Sequence, residues 1–342
     1  MKEELSFEEL ALIAGGHTAF QLLWAGVQLK LFDFLSEKGP ISGSDIQMEL
    51  GLAPQPTRIL LIGLTALRLV KKDGNLYRNS PIVEQLLVSH SEDNMIDILG
   101  WQNFIVYPGE MDFVESLRQN KNIGLNRFQE PGDTLYARLS NDPGLEIVFH
   151  NAMQSLSNSA NRLLMSSVNF NNIKHIVDAG GGSGENSIKL ATSFPHMKVT
   201  IFDNPTVCEI ARQNIIKSDV SGRVSVYPGD FFKDDFPKGI DCVFLGHIMT
   251  IWSIEKGRLL LKKIYNALPK EGKVIIFNMM GNDDDSGPIV TALGSPYFLT
   301  IATGEGMLYS WSDYENLLIE AGFHDISKQI LPKEHGVIIG CK

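Results

Sequence analysis

Cysteine is scarce in this chain: Cys208, Cys242 and Cys341 are the only three in 342 residues, and they stand far apart. So few exclude a disulfide framework and a CxxC metal site, and leave incidental thiols in a reducing compartment. Long hydrophobic runs are missing as well. The apolar stretch from Ile59 to Val70 is broken by Arg68 and falls short of the roughly 20 residues of a membrane span. Basic charge is in deficit, with 30 Lys and Arg against 40 Asp and Glu and a formal net charge of −10. Phosphate recognition draws its affinity from clustered Lys and Arg, so a nucleic-acid partner is not expected. The N-terminal MKEELSFEEL carries acids where a secretion signal needs bases followed by an apolar run. The expected location is therefore cytoplasmic, with no membrane partner.

What is present is ordinary globular material, 44% hydrophobic and 20% charged, in a length suited to two domains, which we place at 1–165 and 166–342. Apolar residues recur at helical spacing from Ala19 to Leu35 and from Ile59 to Val70, with Gly51, Pro54 and Pro56 punctuating between them. ISGSDIQMELGL reads as a short helix capped by Ser42 or Ser44, and LVKKDGNLYRNS as a hairpin turning at Asp73-Gly74. Apart from that hairpin the first half is all-helical, with a winged-helix outline. Asp45, Glu49 and a single nearby Arg58 do not make a DNA-reading helix. The apolar surface of Phe20, Leu22, Leu23, Trp24, Val27, Leu29, Leu31 and Phe32 exceeds what so small a domain covers, which points to a homodimer interface.

A long amphipathic helix runs from about Pro143 to Val168, and the pattern then changes. The short apolar runs HIVDAG, KVTIFD, VSVYPGD, IDCVFLG and KVIIFN alternate with helical stretches at Thr206–Lys217 and Ile254–Leu268. Such alternation implies an α/β domain with a Rossmann-like parallel sheet, whose ligands bind at the carboxyl ends of the strands. After the first strand comes Asp178-Ala-Gly180-Gly-Gly182-Ser-Gly184, then a helix. Glycine lets the backbone turn sharply and approach a ligand there. Its DxGGGxG spacing differs from the GxGxxG of dinucleotide sites, which disfavours an NAD-dependent oxidoreductase. The second strand ends in Asp203, placed to accept hydrogen bonds from ribose hydroxyls. The third leads to Gly229, Asp230 and Phe231, a carboxylate and a ring suited to an adenine.

The ordered set VDAGGGSG, FDNP, PGDFF, LLKKIYNALP before KVIIFN, and YSWSDYENLLIEAGF resembles the S-adenosylmethionine-dependent O-methyltransferases of the plant caffeate and bacterial natural-product type. GHTAFQLLWAGVQLKLFDFL and PTRILLIGLTALRLV resemble that family's N-terminal dimerisation domain, so the likeness spans nearly the whole chain. It implies a class I methyltransferase sheet, S-adenosyl-L-methionine as cofactor and a small-molecule methyl acceptor, oxygen being the favoured site of methylation. By the same resemblance Gly180 and Gly182 pass the methionine moiety, Asp203 holds the ribose, Asp230 and Phe231 hold the adenine, and Gly246 or His247 flanks the sulfonium. Ser157 matches a position at the methionine end.

One departure stands out. The family's general base is a His two residues before a Trp, in a segment reading roughly L-H-D-W. Here the stretch is His247-Ile-Met-Thr250-Ile251-Trp252, with Thr250 in the His position and Ile251 in the Asp position, and the family's orienting acid after the next strand is replaced by Asn278. A threonine hydroxyl is no base at neutral pH. Three readings stay open. An acceptor that is already nucleophilic, such as an acidic phenol, a carboxylate, an enol carbon or an amine, needs only proximity. A different base serves, with His247, His150 or Tyr297 as candidates. Or the cofactor is bound without methyl transfer, in a hydroxylation or pericyclic step. A winged-helix regulator that senses the cofactor is the non-enzyme alternative. Trp101, Met153, Tyr297 and Phe298 are candidate substrate-pocket residues. The run Asn282 to Asp285 reads as a solvated loop and not a metal site, because its acids are consecutive and no His is near.

Overall fold

The structure, a computed structural model, describes residues 4–342. The chain forms two compact units, the first ending at Asn103 and the second running Phe104–Lys342. That division precedes the expected 165/166 boundary, because the segments of 107–139 pack against the turn at Phe298–Ala302 of the second unit.

In the first unit, α1 (Phe7–Ala14), α2 (Gly16–Gln28), α3 (Leu31–Lys38), α4 (Gly43–Leu50), α5 (Pro54–Ala66), α6 (Pro81–Leu86) and α7 (Ile96–Trp101) surround a small antiparallel sheet. The sheet has the order β1 (Ile41–Ser42), β3 (Leu76–Asn79), β2 (Val70–Asp73), so this region is mostly helical and not all-helical. Ser42 caps α4 by accepting from the Asp45 amide at 3.2 Å. The single helix expected from Ala19 to Leu35 is two. Lys30 takes a left-handed conformation (φ 55°), and α3 folds back until a Cβ on Gly26 would lie 2.6 Å from the Phe32 ring. Leu31, Phe32 and Leu35 enter the core of this unit, while α1 leaves Phe7 83% and Ile13 67% exposed and α5 leaves Ile59 59% and Ile62 58% exposed. Exposed apolar side chains of this unit thus include those on α1 and α5, and Leu31 is not among them.

The second unit opens with α8 (Tyr107–Glu110), α9 (Phe113–Gln119), α10 (Leu135–Leu139) and the long α11 (Pro143–Ser167), capped by Asp142. A seven-stranded sheet follows, in the order β6-β5-β4-β7-β8-β10-β9, built from β4 (His175–Ala179), β5 (Lys198–Asp203), β6 (Val224–Pro228), β7 (Cys242–Gly246), β8 (Lys273–Met279), β9 (His324–Ile330) and β10 (His335–Cys341). The first five are parallel, and β10 runs antiparallel to both β8 and β9, so the sheet is mixed. Connections are α12 (Glu185–Ser193), α13 (Pro205–Ile216), α14 (Ile254–Ala267), α15 (Ile289–Tyr297) and α16 (Trp311–Ala321). Both faces are covered, as the continuous apolar strands require. Val177, Val243 and Ile276 pack with residues of α14 and α16, and their neighbours Ile176, Phe244 and Ile275 pack with residues of α11, α12 and α13. Among the described residues no single helix is long and apolar enough to cross a membrane; α1 and α2 reach that length and composition only together, bent by 69°.

Candidate active site

The site grows from the carboxyl ends of β4, β5, β6 and β7. After β4 the chain turns through Gly180, Gly182 and Gly184 at φ 75°, 57° and 86°, conformations that side chains with a Cβ rarely adopt. A Cβ on Gly180 would meet Ile248 at 2.2 Å, whereas one on Gly182 would meet nothing within 4 Å, so the loop is packed on one side and open on the other.

Asp203, at the end of β5, ties this loop to the neighbouring strand. Its carboxylate accepts from the Gly182 amide at 2.9 Å and the Asn204 amide at 2.7 Å. Burial nevertheless holds its pKa above the usual carboxylate value, against those two amides. Two bonds leave acceptor capacity free for two vicinal hydroxyls. Asp178 is 1% exposed and accepts from Ser187 Oγ at 2.8 Å. Burial, with the Asp203 carboxylate adding to it, pushes Asp178 up to about 7 against the pull of Ser187.

Beyond β6, Gly229 donates its amide to the Asp203 carbonyl at 2.9 Å, and a Cβ there would lie 2.9 Å from Asp234 and 3.0 Å from Phe202. Asp230 accepts from the Phe232 amide at 2.9 Å and pairs with Lys233 at 2.8 Å, which holds its carboxyl below the usual range. The Phe231 ring stands edge-on to Phe202 at 6.2 Å. Gly246 ends β7, and a Cβ on it would approach the Phe244 ring at 2.8 Å and Asn186 Nδ2 at 3.0 Å. An open glycine loop, a ribose-type acceptor and a carboxylate beside a ring, on consecutive strand ends, fit S-adenosylmethionine.

His247 takes a left-handed conformation (φ 59°), and its ring packs 5.0 Å from Phe277 and 5.3 Å from His335. Its Nε2 is sealed from solvent without a hydrogen-bond partner, and burial with the neighbouring His335 pulls its pKa down to about 3. The residue as a whole is half-buried, and a ring held neutral with so low a pKa is a weak base. Thr250 is 1% exposed in the turn Met249–Ile251 and donates to the His247 carbonyl at 3.2 Å. His150 is half-buried on α11, 3.9 Å from Glu146. Ser157 and Met153 are half-buried on the same helix, and one turn past Ser157 the amide of Asn161 is buried with both polar atoms unpartnered. Tyr297 is buried, and its hydroxyl pairs with Tyr136, which burial pushes up to about 12. Phe298 lies 5.2 Å from Tyr297. Trp101 belongs to the first unit, half-buried at the end of α7. Asn282 to Asp285 form an exposed loop, in which Asp283 accepts from the Ser312 amide at 2.6 Å.

Sequence reasoning missed Ser187, Tyr136 and His335, the partners of Asp178, Tyr297 and His247. Ser187 was within reach, in the first turn of the helix that follows the loop. The other two are brought in by tertiary packing and carry no local signal.

A mixed seven-stranded sheet with this loop and these strand-end acids defines a class I, S-adenosylmethionine-dependent methyltransferase. The chain belongs to the O-methyltransferase family: its O-methyltransferase domain spans 112–324 and its O-methyltransferase dimerisation domain 11–89. It is 39% identical to the L-tyrosine C(3)-methyltransferase of Streptomyces lavendulae over all of this chain and 94% of that protein. Among solved structures it resembles the S-adenosylmethionine-dependent methyltransferase SibL in its apo form, with a TM-score of 0.89 and 37% identity over 99% of each chain. Human N-acetylserotonin methyltransferase in complex with SAM superposes with a TM-score of 0.84 at 25% identity, over 100% of this chain and 99% of that one. The dimerisation domain supports a homodimer.

Proposed function

We propose that this enzyme methylates a small phenolic amino-acid-like acceptor at a ring carbon beside the hydroxyl. The observation that carries the reading is Thr250: where the family resemblance expects a base, a buried hydroxyl is spent on a backbone carbonyl. Oxygen methylation of a neutral hydroxyl calls for such a base. An electron-rich ring carbon is itself nucleophilic and needs chiefly alignment. The similarity to an L-tyrosine C(3)-methyltransferase supports the same choice.

When bound, S-adenosylmethionine supplies an electrophilic methyl group. In the reaction a methyl replaces a ring hydrogen, which leaves as a proton to water. The chain's part is to bind and orient: the Gly180–Gly184 loop and Asp203 hold the cofactor's methionine and ribose, Asp230 and Phe231 the adenine, and the segment bearing Tyr297 and Phe298 lines the acceptor's place. The reading includes a cytoplasmic homodimer, with neither nucleic acid nor membrane as a partner. The test is an acceptor panel with labelled methyl donor. L-Tyrosine and related phenols should take up label, and phenylalanine should not. Equal labelling of phenylalanine, or labelling of non-aromatic acceptors alone, contradicts the reading.

A further inference from the structure

Glu110 ends α8 as a half-buried carboxylate, and neither a hydrogen bond nor an ion pair reaches it among the described residues. The helix beneath it is firmly seated. A Cβ on Gly109 would lie 2.5 Å from Ile301, and a Cβ on Gly124 would lie 2.2 Å from the Gly109 carbonyl. The charge around it can be followed element by element. Arg127, on the turn Ile123–Arg127, is committed to Asp112 through bonds of 2.6 and 3.0 Å. On α9, Arg118 and Glu115 pair with each other at 3.5 Å. Neither α15 nor the turn Phe298–Ala302 contains a charged residue, and the phenol of Tyr297 is paired with Tyr136. Burial alone pushes Glu110 up to about 7. A carboxylate desolvated without a counter-charge is costly, and a ligand cation would offset that cost.

The helix that bears Glu110 shares a neighbour with the cofactor end of the site. The turn Phe298–Ala302 packs against Met249–Ile251, at the cofactor end of the site, and also against α8. No contact of similar extent joins α8 to Met249–Ile251. The helix that bears Glu110 and the turn Met249–Ile251 thus share the turn Phe298–Ala302 as a common neighbour.

We propose that Glu110 binds the ammonium group of a zwitterionic phenolic amino acid, the end of the acceptor remote from the methylated ring. This rests on the reading of the acceptor given above and adds the group that selects an amino acid over a simple phenol. Glu110 is a binding residue and takes no part in the transfer.

The test compares L-tyrosine, tyramine and 3-(4-hydroxyphenyl)propanoate as acceptors for the full-length enzyme and for Glu110→Gln and Glu110→Asp. In the wild type the two amines should exceed the acid lacking nitrogen by about 10- to 100-fold in kcat/KM, the scale of a charge-assisted contact. Glu110→Gln should erase most of that preference through KM, with cofactor affinity unchanged and melting temperature equal or higher; Glu110→Asp should restore part of it. The wild-type kcat/KM for L-tyrosine should climb as pH rises through about 7, where the carboxyl ionises, and the climb should vanish in Glu110→Gln. Unchanged discrimination in Glu110→Gln, or an equal loss on all three acceptors, overturns the assignment while the ring-methylation reading stands. No methylation of any of the three by the wild type overturns both.

Discussion

Thr250 Oγ1 donates to the His247 carbonyl at 3.2 Å, closing a side-chain bond back along its own turn. Its backbone is equally confined, for a Cβ on Gly306 would fall 2.0 Å from the Thr250 carbonyl. Thr250→Ala should therefore keep most of the turnover and lose about 1 kcal/mol of stability, the value of one internal hydrogen bond. Steady-state rates beside a thermal melt check this; loss of turnover with cofactor binding intact would mean that Thr250 orients the acceptor directly. Thr250→His with Ile251→Asp should instead destabilise by about 1 to 3 kcal/mol, the cost of overpacking a full site.

Asp203 joins the glycine loop to the end of β5 and retains free acceptor capacity beyond its two amide bonds. Asp203→Ala should weaken S-adenosylmethionine binding by about 1 to 3 kcal/mol, as expected for lost charge-assisted bonds. Calorimetry measures this, and unchanged affinity would contradict the placement.

His247 is depressed to about 3 and His335 is lowered in the same sense, chiefly by burial. The unfolded chain takes up protons at these histidines below about pH 6.5, and the folded chain does so only at lower pH. Stability from this source is present above about pH 6.5 and is lost as pH falls, at up to about 1.4 kcal/mol per pH unit for each histidine. His247→Asn, a residue that tolerates the left-handed conformation, should flatten the dependence between pH 6.5 and 5 in denaturant titrations. An unaltered slope would place the titrating group elsewhere.

The apolar face of α1 and α5 should be the homodimer contact. Replacing Ile59 and Ile62 together by Asp should give a monomeric mass in light scattering with the fold retained, because both side chains are more than half exposed in the single chain. Leu31→Asp should unfold the first unit instead, since Leu31 is fully buried.

Much of the cofactor half was legible in the sequence because parallel strands buried on both faces give continuous apolar runs, and each of the five was followed by a turn or helix signal. β9 was not: its residues HDISKQI are mostly exposed at the sheet edge and alternate weakly. The break at Lys30 was hidden for a different reason, there being neither Gly nor Pro at the turn; the close approach of Phe32 to Gly26 belongs to tertiary packing. In the site, Asp203 and the glycines were readable from their places after strands. The packing of His247 against His335 was not, because His335 arrives from a strand almost ninety residues later in the chain.

The carbon-methylation reading meets its most direct test in one product. L-Tyrosine deuterated at both ring positions beside the hydroxyl is incubated with the enzyme and S-adenosylmethionine, and the methylated product is weighed by mass spectrometry. Transfer to the ring carbon predicts the loss of one deuterium for each methyl gained. A methylated product that retains both deuterons would place the methyl on oxygen or nitrogen and contradict it.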